Sequence, residues 1–322
     1  MEDWIGAPIL WLACRRHVGE LHVARAVEAA TGATKDPGMQ LFRRLKAEWK
    51  EIQIDYEDLV KFDYNSVAPH LQGIAKNVLT WGLKELEKGT FPRDDYKELL
   101  ELVIISLGGE VEGFTFKLPG PDHHARWMSK CIYFIKLRLL CKVFNMTAEE
   151  NLQVEQITEF VILFYAKYWF MTPLACCSAR NDLEFMSNIL AYRERRVELA
   201  WKVLKSCYRH MWYVTPQVIT LSLLDLDLED TTRENIARTL HGTERKELET
   251  GKPTFPVLPW GPRQARLDMA SLVGPESWLL FDLLGFKGPQ VRSEKVHNLK
   301  LIINILGLAP DPCYTVASFP GV

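Results

Sequence analysis

The chain has 322 residues, of which 48% are hydrophobic and 25% are charged, as is typical of soluble globular proteins. Its formal net charge of −2 excludes an overall attraction to nucleic acids or acidic membranes, so such binding would need a local patch. No apolar run reaches the ~18–20 residues of a membrane span, so no membrane partner is expected. The start shows no secretory signal, and we expect free thiols in an intracellular protein, nuclear or cytoplasmic.

The first predicted helix, over residues 8–30, carries Cys14 and His17 three positions apart on one face. Such a pair could be half of a zinc site, but zinc needs further ligands that the sequence does not supply. The alternative is a structural pair in which the two side chains pack and the imidazole forms a hydrogen bond. We favour the structural pair, and no metal is predicted there.

A predicted helix over residues 125–144 organises the chain. It follows a strand-like run at 113–118 and a Pro-Gly-Pro turn, where a helix cannot continue. Trp127 begins an apolar stripe that continues through Cys131 and Phe134. The helix also carries a set of cations without a neighbouring acidic residue: Arg126, Lys130, Lys136, Arg138 and Lys142.

This basic face supports two interpretations. With Trp127 and the histidines His123 and His124 at its start, the helix could contact phosphates and stack on a base. Alternatively, it is a core helix whose tryptophan is packed and whose cations are solvated.

The second half of the chain is predicted to be helical. Thr147 and Glu150 form a capping-box pattern that begins a helix ending near Met171. Another helix is expected from Asn181 to about Tyr213, with the charged run 193–196 on its solvated side. The acidic residues between 225 and 230 could hold a cation, but acids are also favoured before a helix N-terminus, and we prefer that explanation.

Two segments resemble hAT-like DNA transposases. Leu12-Ala13-Cys14-Arg15-Arg16-His17 is similar to their Cys-x-x-His segment, and His123-His124-Ala125-Arg126-Trp127-Met128-Ser129 is similar to their Arg-Trp motif. The resemblance implies a mostly α fold, in which a helical insertion domain is attached to an incomplete RNase H-like remnant with few strands. It further implies a remnant over 1–120 with a strand near Phe114–Phe116, an insertion domain over 121–284, and a divergent tail over 285–322.

Transposases of this family use three carboxylates to hold two divalent cations. The first two would precede Cys14, where the chain has only Glu2 and Asp3, and Glu294 is the only candidate for the third. The resemblance therefore implies an incomplete catalytic centre and no cofactor. Mg²⁺ would be expected only if a longer form held the missing aspartates.

The expected function is that of a catalytically inactive, transposase-derived protein that binds DNA, a related transposase or a second copy of itself. By resemblance, Arg126 would contact a phosphate and Trp127 would stack on a base, with His123, His124 and Lys130 nearby. The alternatives are a helical protein-interaction module without a nucleic-acid role and an active Mg²⁺-dependent nuclease. No small-molecule substrate is evident.

Overall fold

The computed structural model describes residues 14–32, 40–120, 127–172, 175–244 and 268–283. These residues contain helices, turns and irregular segments but no β-strand, which confirms a mostly α fold. The α-helices are α1 (Arg15–Thr31), α2 (Gln40–Glu48), α3 (Pro69–Glu87), α4 (Asp94–Ser106), α5 (Trp127–Leu139), α6 (Ala148–Phe160), α7 (Ala166–Phe170), α8 (Ser178–Tyr192), α9 (Val197–His210), α10 (Asp230–Gly242) and α11 (Leu279–Leu283).

The chain divides into two compact units. The larger unit comprises the described parts of 16–170 and 188–207. The smaller unit comprises the described parts of 1–15, 171–187 and 208–322. The boundaries at 120 and 284 that the resemblance implies stay a prediction.

The larger unit is built around α4, which packs against α3, α5 and α7. From Leu99 to Ile105 every side chain of α4 is buried, including the carboxylate-bearing Glu101. A helix that is apolar around most of its circumference must be enclosed by other elements. Gly82 of α3 permits one of these close approaches, because a Cβ atom there would lie 3.2 Å from Ile104 Cγ1.

The capping box at the start of α6 is confirmed. Thr147 Oγ1 accepts a hydrogen bond from the Glu150 N–H at 3.1 Å, and Glu150 Oε2 accepts one from the Thr147 N–H at 2.9 Å. The helical run continues from α6 through a buried π-helical turn, Val161–Tyr165, and α7 to Phe170. The sequence did not predict the change to π-helical bonding within this run.

The predicted strand near Phe114–Phe116 is wrong. Residues 114–118 have no strand partner in the described part of the chain. The Tyr56 hydroxyl donates to the Phe114 carbonyl at 3.0 Å, and Lys136 Nζ donates to the Lys117 carbonyl at 2.7 Å. Side-chain donors therefore bond carbonyl groups that a neighbouring strand would bond in a sheet. The RNase H-like remnant stays a prediction.

The single helix expected from Asn181 to about Tyr213 is also wrong. The structure has α8, which ends at Tyr192, and α9, which begins at Val197. The residues between them form a turn, in which the main-chain N–H groups of Arg195 and Arg196 both donate to the Tyr192 carbonyl and their side chains donate to Glu159. The charged run therefore interrupts the helix, and two of its arginines form ion pairs with Glu159.

The smaller unit packs α10 against short 3₁₀ helices, Ile219–Leu224, Met269–Leu272 and Pro275–Trp278. Buried Ser277 connects two of its loops, because its Oγ donates to the Pro216 carbonyl at 2.6 Å and accepts from the Gly274 N–H at 3.0 Å. Among the described helices of the whole chain, none is long and apolar enough to cross a membrane.

Candidate functional site

Two lysines of the predicted basic face have acidic partners from other parts of the larger unit. Lys136 is 1% exposed, and its Nζ lies 2.5 Å from Glu98 Oε1 of α4. Burial lowers the pKa of Lys136, while the charge of Glu98 opposes that shift. Lys142, just beyond α5, pairs with Asp58 at 3.1 Å. The prediction of an uncompensated basic face is therefore wrong at these two lysines, because the acids that meet them are distant in sequence.

The nucleic-acid site expected from the Arg-Trp motif lies mostly outside the described residues. This holds for His123, His124 and Arg126, and nothing is described of the Trp127 side chain. Lys130 lies in α5 and is half-buried. The apolar stripe that was predicted to follow Trp127 is confirmed at two positions, since Cys131 and Phe134 are buried. Glu294, the candidate catalytic carboxylate, also lies outside the described residues.

The two residues of the Cys-x-x-His segment are both accessible. Cys14 is exposed, and the side chain of His17 is 71% exposed with Nδ1 3.8 Å from Glu20 Oε2. Within the described ranges, no group of three or more His, Cys, Asp or Glu side chains is arranged to hold a metal ion.

Glu155, Glu159, Arg195 and Arg196 form what we call the arginine–glutamate cluster. Glu159 accepts from Arg195 Nη2 at 2.5 Å, from Arg196 Nε at 3.1 Å and from the Tyr192 hydroxyl at 2.9 Å. Arg196 Nη2 also donates to Glu155 at 2.6 Å. Burial opposes the ionisation of Glu159, but the two arginines outweigh it and lower the pKa of Glu159.

A polar pocket of about 250 Å³ adjoins this cluster. One side is a strap, residues 60–66, that is held to the helix ends by main-chain hydrogen bonds. The Val60 N–H donates to the Leu139 carbonyl at 3.0 Å, and the Phe62 N–H donates to the Ser106 carbonyl at 2.7 Å. Neither the pocket nor the strap was predicted, because no local sequence pattern marks a cavity formed by segments this far apart.

In the smaller unit, the acidic run is anchored through Asp225. Its carboxylate accepts from Arg180 Nε at 2.7 Å and from Cys177 Sγ at 3.1 Å. Burial opposes ionisation of Asp225, but these hydrogen bonds prevail and lower its pKa. Asp230 lies in the first turn of α10, as expected for an acid near a helix N-terminus. Asp225, whose side chain is buried, instead forms an ion pair with Arg180.

The larger unit also has a partly exposed apolar cluster, which we call the aromatic patch: the exposed Tyr56 and Leu118 and the half-buried Phe114 and Phe116. The rings of Tyr56 and Phe114 have centroids 6.4 Å apart, and those of Phe114 and Phe116 are 5.0 Å apart. Tyr56 is 47% exposed and Leu118 is 60% exposed. The alternation of Phe114, Phe116 and Leu118 is present in the sequence, and the run was predicted to be a strand.

The main chain of the patch keeps hydrogen-bonding groups available. Among the described residues, the N–H groups of 115–118 have no hydrogen-bond acceptor. Exposed acids lie on either side of Tyr56 (Asp55 and Glu57) and before Phe114 (Glu110 and Glu112), and they outnumber the exposed Lys117 of the segment. The surface thus combines apolar side chains, unpaired main-chain donors and flanking negative charge.

Comparison with protein-family models, with curated proteins and with solved structures gives no match to this chain. The transposase resemblance therefore remains an expectation that rests on the motifs alone.

Proposed function

We propose that this chain is a helical protein-interaction module that binds an extended, basic segment of a partner protein along residues 114–118. The observation that carries the proposal is the aromatic patch, where Phe114, Phe116 and Leu118 alternate along a segment without helical structure and the N–H groups of 115–118 are unpaired among the described residues. Apolar surface that stays accessible to solvent is a feature of interaction sites.

The chemistry of the patch defines the segment that would fit it. A partner chain in the extended conformation can accept hydrogen bonds from alternate N–H groups of residues 115–118 and so add a strand. Its alternate side chains would contact Phe116 and Leu118, so apolar residues are expected at every second position. The exposed carboxylates of Glu57 and Glu112 favour Lys or Arg at the ends of the segment.

The ion pairs of Lys136 and Lys142 favour a protein partner over a nucleic acid. Lys136 and Lys142 are neutralised by Glu98 and Asp58, so they do not add to a free positive face. Affinity for nucleic acid depends mainly on cations that can neutralise phosphates. A related transposase, the partner that the resemblance suggests, would serve as such a protein partner if it offered a segment of this kind.

The experiment is a selection of random peptides against the immobilised protein. We expect the enriched peptides to carry Lys or Arg and apolar residues at alternating positions. Leu118→Asp should abolish their binding, because it places a charge in the apolar contact and adds to the flanking negative charge. The matched control is Leu226→Asp, since Leu226 is 62% exposed and belongs to the smaller unit. Equal binding by the two variants, or enrichment without basic residues, would contradict the proposal.

DNA binding through the Arg-Trp motif is the second candidate. It is favoured by the position of the motif at the beginning of α5, because a helix N-terminus attracts phosphate and the first turn of α5 carries no acid. In this reading, Trp127→Ala should weaken binding by about 1–3 kcal/mol, as the loss of base stacking does. Lys130→Ala should reduce the salt slope of binding by about one unit, and Lys205→Ala, at an exposed position, is its control.

Fluorescence anisotropy with labelled duplex and hairpin DNA at several salt concentrations measures both effects. An undetectable affinity at low salt would exclude the DNA candidate and leave the peptide proposal unaffected.

A further inference from the structure

The polar pocket of the larger unit contains a hydroxyl group without a partner. Ser106, the last residue of α4, lines the pocket and is 3% exposed, and its Oγ is buried without forming any hydrogen bond. A buried hydroxyl that forms no hydrogen bond is costly, and native proteins rarely retain one without a reason. A ligand that offers an oxygen acceptor in the pocket would supply the missing bond.

Two cations that line the pocket also lack good partners. Arg138 Nη1 reaches only the sulfur of Cys141, at 3.5 Å, and Nη2 lies 4.0 Å from Glu155 Oε2, too far for a hydrogen bond. Lys61, on the strap, forms no ion pair with any described residue. Both cations therefore have donors that remain available.

The carboxylates of the pocket are already occupied. Glu159 is held by Arg195 and Arg196, and Glu155 by Arg196 at 2.6 Å. Asp63 Oδ1 accepts from the Asn65 N–H at 2.9 Å, within the strap. Three cations and three anions line the pocket, and Arg196 behind it bridges both glutamates, which leaves an excess of one positive charge.

From these contacts we infer that the pocket binds a small oxoanion, namely inorganic phosphate or the phosphate group of a small ester. The guanidinium of Arg138 would donate to two of its oxygens, as arginine does to phosphate, and the Ser106 hydroxyl would donate to a third. The Lys61 ammonium, on the strap, would also contact the anion. A volume of about 250 Å³ is below that of pockets for drug-sized ligands, which restricts the ligand to a small molecule.

The test is isothermal titration of the full chain with inorganic phosphate and with glycerol phosphate at constant ionic strength. We expect saturable binding of both. Tighter binding of the ester would identify a phosphorylated metabolite as the source, and equal binding would identify free phosphate. Arg138→Gln should weaken binding about 10- to 100-fold, since it removes a charge-assisted hydrogen bond. Arg209→Gln, at an exposed position outside the pocket, should leave it unchanged.

Ser106→Ala provides a second readout, in which the melting temperature of the free protein and the stabilisation by phosphate should change in opposite directions. Removal of an unpartnered buried hydroxyl should raise the melting temperature of the free protein, while the further rise caused by phosphate should become smaller. A purely structural serine would not reduce the phosphate effect. Lys61→Gln, on the exposed strap, keeps the test decisive if Arg138→Gln fails to fold. No saturable binding to the wild-type chain, or equal losses in Arg138→Gln and Arg209→Gln, would overturn the inference.

Discussion

Helix α5 and the segment 114–118 before it differ in how their polar groups are satisfied. In α5 and just beyond it, Lys136 and Lys142 each meet an acid from a distant part of the larger unit. In the segment, the N–H groups of residues 115–118 find no acceptor among the described residues, and Leu118 is exposed. The comparison teaches that charge in the sequence does not by itself mark an interaction surface. Groups that the fold leaves unsatisfied are better candidates.

The largest expected effect tests whether the pairing of Lys136 in α5 with Glu98 stabilises the fold. Glu98→Gln removes the carboxylate that lies 2.5 Å from the buried ammonium of Lys136. Because it leaves an uncompensated buried charge, it should destabilise the protein by about 3–5 kcal/mol in urea unfolding.

The control for Glu98→Gln is Glu194→Gln, at an exposed acid in the turn after α8 that forms no ion pair with a described residue. A loss below about 1 kcal/mol for Glu98→Gln would show that the pair contributes little, and Lys136 would then be available for other roles.

The arginine–glutamate cluster extends the comparison to pH. The pKa of Glu159 is lowered in the folded protein, so the unfolded chain binds more protons as the pH falls. The stability that Glu159 contributes is therefore present above its unfolded pKa and is lost as the pH falls through its folded pKa. Glu159→Gln should flatten this acid dependence of the unfolding free energy between neutral and acidic pH. An unchanged slope would contradict the stated role of the cluster.

A smaller effect is expected at the capping box of α6. Thr147→Ala removes the acceptor of the Glu150 N–H and should cost about 1 kcal/mol of unfolding free energy. Thr147→Ser retains the acceptor and should cost less. Equal losses for the two variants would indicate that packing of the threonine methyl group, rather than capping, stabilises this helix.

The sequence predicted most of the helices because their apolar spacing and end signals are local. The capping box of Thr147 and Glu150 and the burial of Cys131 and Phe134 are examples. It failed where a long-range contact decided the structure. The break after Tyr192 follows from the attraction of two arginines to Glu159, 36 and 37 positions away.

The candidate surfaces were harder to predict than the helices. Phe114, Phe116 and Leu118 alternate as a strand would, and only the missing neighbouring strand distinguishes them from one. The pocket depends on Ser106 and Arg138, which no local pattern connects. The Arg-Trp motif stays a prediction, because its first residues lie outside the described part of the chain.

The smallest effect on stability is expected for Leu118→Asp, within about 0.5 kcal/mol of the wild type, because the residue is exposed. Thermal or urea unfolding, measured alongside Leu226→Asp, checks this. A larger loss of unfolding free energy would mean that Leu118 stabilises the fold, and its exposure would then not indicate a partner contact.

The central claim is that residues 114–118 form the partner-binding surface and that α5 does not. Hydrogen–deuterium exchange of the full chain, with and without a basic peptide selected as above, tests it directly. The account predicts fast exchange of the amides of 115–118 in the free protein, since they have no acceptor among the described residues, and slow exchange of alternate amides of this segment when the peptide is bound. Protection that appears along Trp127–Leu139 and leaves 115–118 unchanged would contradict the claim.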